Sequence, residues 1–101
     1  MSYSEVVSKL GKRVRLTDSY WNYIVRVKHR EMLGLKEAVS NALSLPIEIR
    51  RSLKDPSVYL YYSRHADKLI CVVARHLNEE GRIITTYLTR KMGRGEVVWR
   101  S

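Results

Sequence analysis

Three histidines and nineteen lysines and arginines are the groups in this chain suited to proton transfer and phosphate chemistry. A free imidazole titrates near pH ~6.5, which fits either proton role. His65 and His76 sit beside expected turns and read as surface histidines. His29 lies in the cationic stretch Val27-Lys28-His29-Arg30-Glu31 at the end of an expected helix. It is the best acid/base candidate, although a cation at a helix C-terminus is an equally ordinary reading. Arg75 closes one apolar run, Leu69–Ala74, and Thr85 and Tyr87 interrupt a second, Ile83–Leu88. A guanidinium meets phosphate through paired N–H donors. Hydroxyls at Thr85 and Tyr87 suit hydrogen bonds to a phosphate or to a proton in transfer. Tyr61 offers a ring on which an unpaired base can stack, and Arg50, Arg51 and Arg90 are further phosphate partners. Taken one at a time, Tyr, Thr and Arg in strands need no function, because they are good strand formers.

Charge gives the set its weight. Against 19 Lys and Arg stand 10 Asp and Glu, a net charge of +9. A bias of this size favours polyanionic partners through counterion release. RNA, DNA, an acidic protein and an anionic membrane all qualify. The basic residues recur along the whole chain rather than in one tail, which points to a basic face on a folded domain. The carboxylates are scattered, with Glu79-Glu80 in an expected loop tip, so no metal site is expected. The single cysteine, Cys71, lies in an apolar run and reads as a small buried hydrophobe; it cannot form a disulfide or a cysteine zinc site within the chain. No cofactor motif and no leader peptide are visible. No run approaches the ~20 apolar residues that span a bilayer. A cytoplasmic protein without a membrane partner is the expectation.

At 101 residues the chain is expected to fold as one domain, 1–101. Ser2–Leu10 reads as a short helix capped at Ser4 and stopped by Gly11. Lys12–Leu16 alternates basic and apolar residues, as a short edge strand does. Thr17 or Asp18 caps a helix running to about Leu33, with Tyr20/Trp21, Ile24, Val27 and Met32 or Leu33 on its apolar stripe. A second helix spans Leu35–Leu45 and ends at Pro46. Strands follow at Ile47–Ser52 and Val58–Ser63, then a hairpin from Lys68 to Lys91, and a last short strand at Glu96–Arg100. Helices first and strands later indicate α+β: helices packed on one face of a four- to five-stranded antiparallel sheet. Alternation then sorts the strands. With Ile47, Ile49, Leu60, Val72 and Ile84 toward the helices, the open face carries Glu48, Arg50, Tyr59, Tyr61, Val73, Arg75, Thr85, Tyr87 and Thr89.

The motifs KHREM, NALSLP, VYLYY, CVVAR, IITTY and GRGEVVW, in this order, resemble the small barnase/RelE/colicin-like ribonuclease superfamily of toxins and phage-borne domains. The resemblance covers about Lys12 to Trp99. Two departures stand out: Thr85-Thr86-Tyr87 where relatives often have Thr-Ala-Tyr, and Arg30-Glu31 where the histidine motif often continues Pro-Glu. The resemblance implies an RNase/RelE-like fold and metal-independent cleavage of RNA, by attack of the 2′-hydroxyl on the adjacent phosphate. Catalytic sets vary widely in that superfamily; the residues expected to carry catalysis in this chain are His29, Arg75, Thr85 and Tyr87, and if the chain is a toxin an acidic antitoxin should cover the same face. The alternatives are a non-catalytic nucleic-acid-binding domain using that face, and a protein-interaction module with an acidic partner.

Overall fold

A computed structural model describes residues 3–101. Among them the chain runs β1 (Tyr3–Val7), β2 (Arg13–Thr17), α1 (Asp18–Tyr23), a π turn (Ile24–Lys28), a 3-10 turn (Arg30–Met32), α2 (Lys36–Ser44), β3 (Glu48–Arg51), β4 (Val58–His65), β5 (Lys68–Leu77), β6 (Glu80–Thr89) and β7 (Glu96–Arg100). The architecture is α+β, with helices on one side of a single sheet. The sheet is larger than expected: seven strands in the order β1-β2-β6-β5-β4-β3-β7. It is also mixed, because β2 runs parallel to β6 while every other neighbouring pair is antiparallel.

Two corrections enlarge the sheet. The segment expected as an N-terminal helix is β1 over its described part; Ser2 lies outside the described residues. Tyr3–Val7 pairs along its length with β2, and Gly11, at φ +83°, turns the chain between them. β2 is therefore an inner strand, flanked by β1 and β6, and not an edge. Val14 and Leu16 still point inward as their alternation requires, at 1% and 5% exposure.

Thr17 caps α1 as expected, its Oγ1 accepting from the Tyr20 amide at 3.1 Å. The helix then departs from a regular course to Leu33. It widens into the π turn, in which the His29 amide reaches back five residues to the Ile24 carbonyl at 2.7 Å. One extra residue in the turn rotates everything after it. Val25 joins Trp21, Ile24 and Met32 inside, while Val27 and Leu33, expected on the stripe, are 67% and 74% exposed. α2 presents Val39, Ala42 and Leu43 to the same core.

The sheet contributes Ile49, Tyr61, Ile70, Val72, Ala74 and Ile83 to that core. β4 is thus turned over relative to expectation. Tyr61 and Tyr59 face the helices, and Leu60 and Tyr62 face away. VYLYY is apolar at both parities, so alternation alone could not choose. The ladder chooses: Tyr61 lies opposite Val72, and Leu60 opposite Val73. A fully buried tyrosine is stable only with its hydroxyl bonded. Tyr61 Oη meets Ser8 Oγ at 2.9 Å and His76 Nε2 at 2.8 Å.

The far face is not wholly open either. From β6 the chain must cross β5, β4 and β3 to reach the β7 position. It does so over the face opposite the helices, where the Gly93 amide donates to Tyr62 Oη at 2.8 Å and Arg50 Nη1 donates to the Gly93 carbonyl at 2.6 Å. This crossing buries Tyr62 and Cys71 completely. β7 is fastened by Glu48, 6% exposed, which accepts from Arg100 Nε at 2.8 Å and from Arg50 Nε. Those two arginines, Arg100 first, hold the Glu48 carboxyl below its ordinary range against the opposing effect of burial. No helix among the described residues is long and apolar enough to cross a membrane.

Candidate active site

The π turn has a positional consequence. Ile24 and Met32, both at 0% exposure, fasten the chain to the core on either side of His29. His29 itself leaves helical geometry, at φ −141° and ψ 84°, and swings its ring onto the sheet. There it meets Tyr87, centroid to centroid 5.5 Å, with the ring planes 37° apart. His29 Nδ1 lies 3.3 Å from Glu31 Oε2. The carboxylate thus stands at the Nδ1 side of the ring, and Nε2 is the ring nitrogen turned away from it.

Around Tyr87 the far face is polar and protonated. Tyr87 lies opposite Cys71, which lies opposite Tyr62. Burial, with the Cys71 thiol beside it, raises the Tyr87 phenol well above its usual range. Burial likewise pushes Cys71 up to about 11 and Tyr62 up to about 12. All three keep their protons at neutral pH, so Tyr87 is a hydrogen-bond donor and Cys71 is no nucleophile. Two ladder positions further along, where Leu69 pairs with Thr89, a depression of about 290 Å³ is lined by Arg64, Lys68 and Arg90 with Asp67. Arg90 therefore belongs with the His29–Tyr87 end.

Arg75, Thr85 and Tyr87 do share one sheet face, the geometric condition for the expected site. Their spacing divides them. Tyr87 stands level with Cys71, Thr85 with Val73, and Arg75 with Arg82. Arg75 lies four residue steps along β5 from Cys71, a backbone distance of about 13 Å. Arg75 is also engaged, with Nη1 3.0 Å from Asp55 Oδ2 and 2.9 Å from Ser57 Oγ. Thr85 lies between the two ends. Its Oγ1 is shielded and has no hydrogen-bond partner among the described residues.

The remaining expected residues are placed as follows. Tyr61, expected to stack a base, is at 0% exposure on the helix-facing side and cannot. Arg50 is bonded to Glu48 and Gly93, and Arg51 is ion-paired to Glu96; both serve the β3–β7 edge. His76 is buried rather than superficial. Its ring stacks on Tyr59 at 4.0 Å, and burial, with Lys12 nearby, lowers its pKa to about 4.

Sequence reasoning missed Arg82, Arg15 and Tyr20. Strict alternation pairs Arg82 with Ile84 and turns both inward. A bulge intervenes: Val73 pairs with Thr85 but Ala74 with Ile83, so Ile84 is extra. Ile83 turns in, Arg82 turns out, and the Ile84 carbonyl accepts from Tyr20 Oη. β2 and β6 stay paired only over three positions, ending at Arg15 and Arg82. Where they part, a pocket of about 590 Å³ opens.

Comparison of this chain with models of protein families, with curated proteins and with solved structures finds no match.

Proposed function

We propose that this chain is an endoribonuclease that cleaves single-stranded RNA through its own 2′-hydroxyl, without a metal ion. The observation that carries the reading is the His29–Tyr87 contact: an imidazole delivered to the sheet face by a broken helix, with Glu31 near its Nδ1, and set against a protonated phenol. His29 Nε2 takes the proton of the 2′-hydroxyl. The 2′-oxygen forms a bond to the adjacent phosphorus as the P–O5′ bond breaks, leaving a 2′,3′-cyclic phosphate. The departing 5′-oxygen takes a proton from water, and His29 later returns its own to solvent. Tyr87 donates a hydrogen bond to a non-bridging oxygen, and the cations around Arg90 meet the accumulating charge. The family resemblance and the charge of +9 support the same substrate. For a protein that damages RNA, an acidic inhibitor protein over this face is the matching partner.

A second reading, binding without cleavage, draws on a specific observation: Arg75 is held by Asp55 and lies at the other end of the hairpin from His29. Incubating the protein with single-stranded RNA in EDTA separates the readings. Cleavage to a cyclic phosphate, blocked by 2′-deoxy substitution and lost in His29→Ala with folding intact, is the expected result. Salt-dependent binding without cleavage supports the second reading. No affinity for RNA at low salt overturns both.

A further inference from the structure

Three arginines stand abreast on the face opposite the helices. Arg15 of β2 lies opposite Arg82 of β6, and Arg82 lies opposite Arg75 of β5. Neighbouring strands are ~4.8 Å apart, and like charges directly opposite one another across a ladder destabilise a sheet. The carboxylates that moderate this row engage its two outer members. Glu5 and Glu80 hold Arg15, and Asp55 holds Arg75. Among the described residues Arg82, the central cation, has no carboxylate partner. No carboxylate lines the adjoining pocket. The outer ion pairs thus fix two guanidiniums in place while leaving the middle of the row to an outside anion.

Below the arginines the pocket changes character. Arg15 and Arg82 are exposed, whereas Leu16 and Ile83 are each 5% exposed and form its apolar depth. Tyr20, its hydroxyl bonded to the bulged Ile84 carbonyl, adds a ring held in a fixed position. A cationic row above an apolar, aromatic hollow matches a nucleotide: phosphate on the guanidiniums, base against Leu16 and Tyr20.

We infer that this pocket is a nucleotide subsite, seating one unit of the RNA chain on the Arg15–Arg82–Arg75 row at the end of the hairpin remote from His29. The inference rests on RNA as the substrate class and extends its footprint past the cleavage centre. A nucleic acid engaged at both ends lies along the β5–β6 hairpin, with Thr85 midway.

Titration of the intact protein, followed by the backbone amide resonances, tests the subsite independently of cleavage. Adenosine 5′-monophosphate, adenosine and inorganic phosphate form separate arms. The nucleotide is expected to shift the amides of Leu16, Tyr20, Arg82, Ile83 and Ile84, and to bind about tenfold or more tightly than either fragment. Arg82→Ala is expected to abolish that advantage while leaving the spectrum of the free protein otherwise intact. Equal affinity for phosphate alone, or shifts confined to other residues, overturns the subsite. Should Arg82→Ala disturb the fold, Arg82→Lys serves instead: it retains charge, loses the fork, and is expected to weaken the nucleotide selectively. Cleavage with no nucleotide binding here refutes the subsite and leaves the catalytic reading standing; nucleotide binding here without cleavage does the reverse.

Discussion

The two faces of the β5–β6 hairpin treat their polar groups in opposite ways. Toward the helices, Ser8, Tyr61 and His76 form a closed chain of hydrogen bonds, and the imidazole is stacked on Tyr59. Away from the helices, three arginines stand side by side, Thr85 Oγ1 is shielded without a hydrogen-bond partner among the described residues, and His29 rests partly exposed on Tyr87. A satisfied network stabilises; an unsatisfied arrangement kept in a fold points to something outside it. The difference separates two histidines, His29 and His76, and it is open to experiment.

The sharpest break exchanges the two imidazoles' roles. His29→Ala is expected to reduce RNA cleavage by about 10²- to 10⁴-fold, the usual contribution of a positioned acid/base group, with little change in melting. His76→Ala is expected to do the opposite. Removing a packed ring from between Tyr59 and Tyr61 costs about 2–4 kcal/mol, read from urea denaturation, while the cleavage rate of the folded fraction persists. If each variant loses stability and activity in proportion, the faces do not have separate duties.

Protonation offers a smaller, graded version of the same test. His76 titrates near 4 in the folded protein, against about 6.5 in the unfolded chain. Its folded pKa is depressed, so the unfolded state binds more protons between those values. Stability is fully present above pH ~6.5, falls as pH drops toward 4, and changes no further from this group below that. The loss amounts to up to about 3 kcal/mol, reduced by solvent screening at the ring's outer edge. Urea midpoints measured between pH 4 and 7 are expected to slope in the native protein and to flatten in His76→Gln. An equal slope in both would place the titrating group elsewhere.

Which of these features could be read from the chain follows from how each is encoded. Val14 and Leu16, the Thr17 cap, the Pro46 stop and the long hairpin are local signals, and each stands in the structure. That Arg75, Thr85 and Tyr87 share a face was also legible, because simple alternation holds from Val72 to Arg75 on one strand and from Thr85 to Tyr87 on the other; how far apart they stand along the hairpin was not. Three things were not local. The facing of VYLYY depended on which register β5 imposed, since tyrosines fit either side. The inclusion of Arg82 depended on a bulge at Ile84, one residue that inverts every assignment before it. The strand at Tyr3–Val7 was decided by pairing with β2, a tertiary term that overrode a helix-like pattern of Val6, Val7 and Leu10. His29 was legible as a candidate, but its contact with Tyr87 was not, because a π turn carries no plain sequence signature.

The smallest effect is also the most specific, because it turns on sign. Arg75 and Arg82 are neighbours in one row, yet Arg75 has Asp55 and Ser57 while Arg82 has no carboxylate among the described residues. Arg75→Met gives up an ion pair that steadies the β3–β4 turn, and a modest loss of stability is expected, well below that of His76→Ala. Arg82→Met gives up no ion pair and relieves repulsion from both sides. It is expected to leave stability unchanged or to raise it. The contrast should be widest at low ionic strength and shrink in high salt, where the row is screened. Paired urea titrations at two salt concentrations read it directly. If Arg82→Met destabilises as much as Arg75→Met, with no salt dependence, the row is not under electrostatic strain, and the physical reason for placing an anion there disappears.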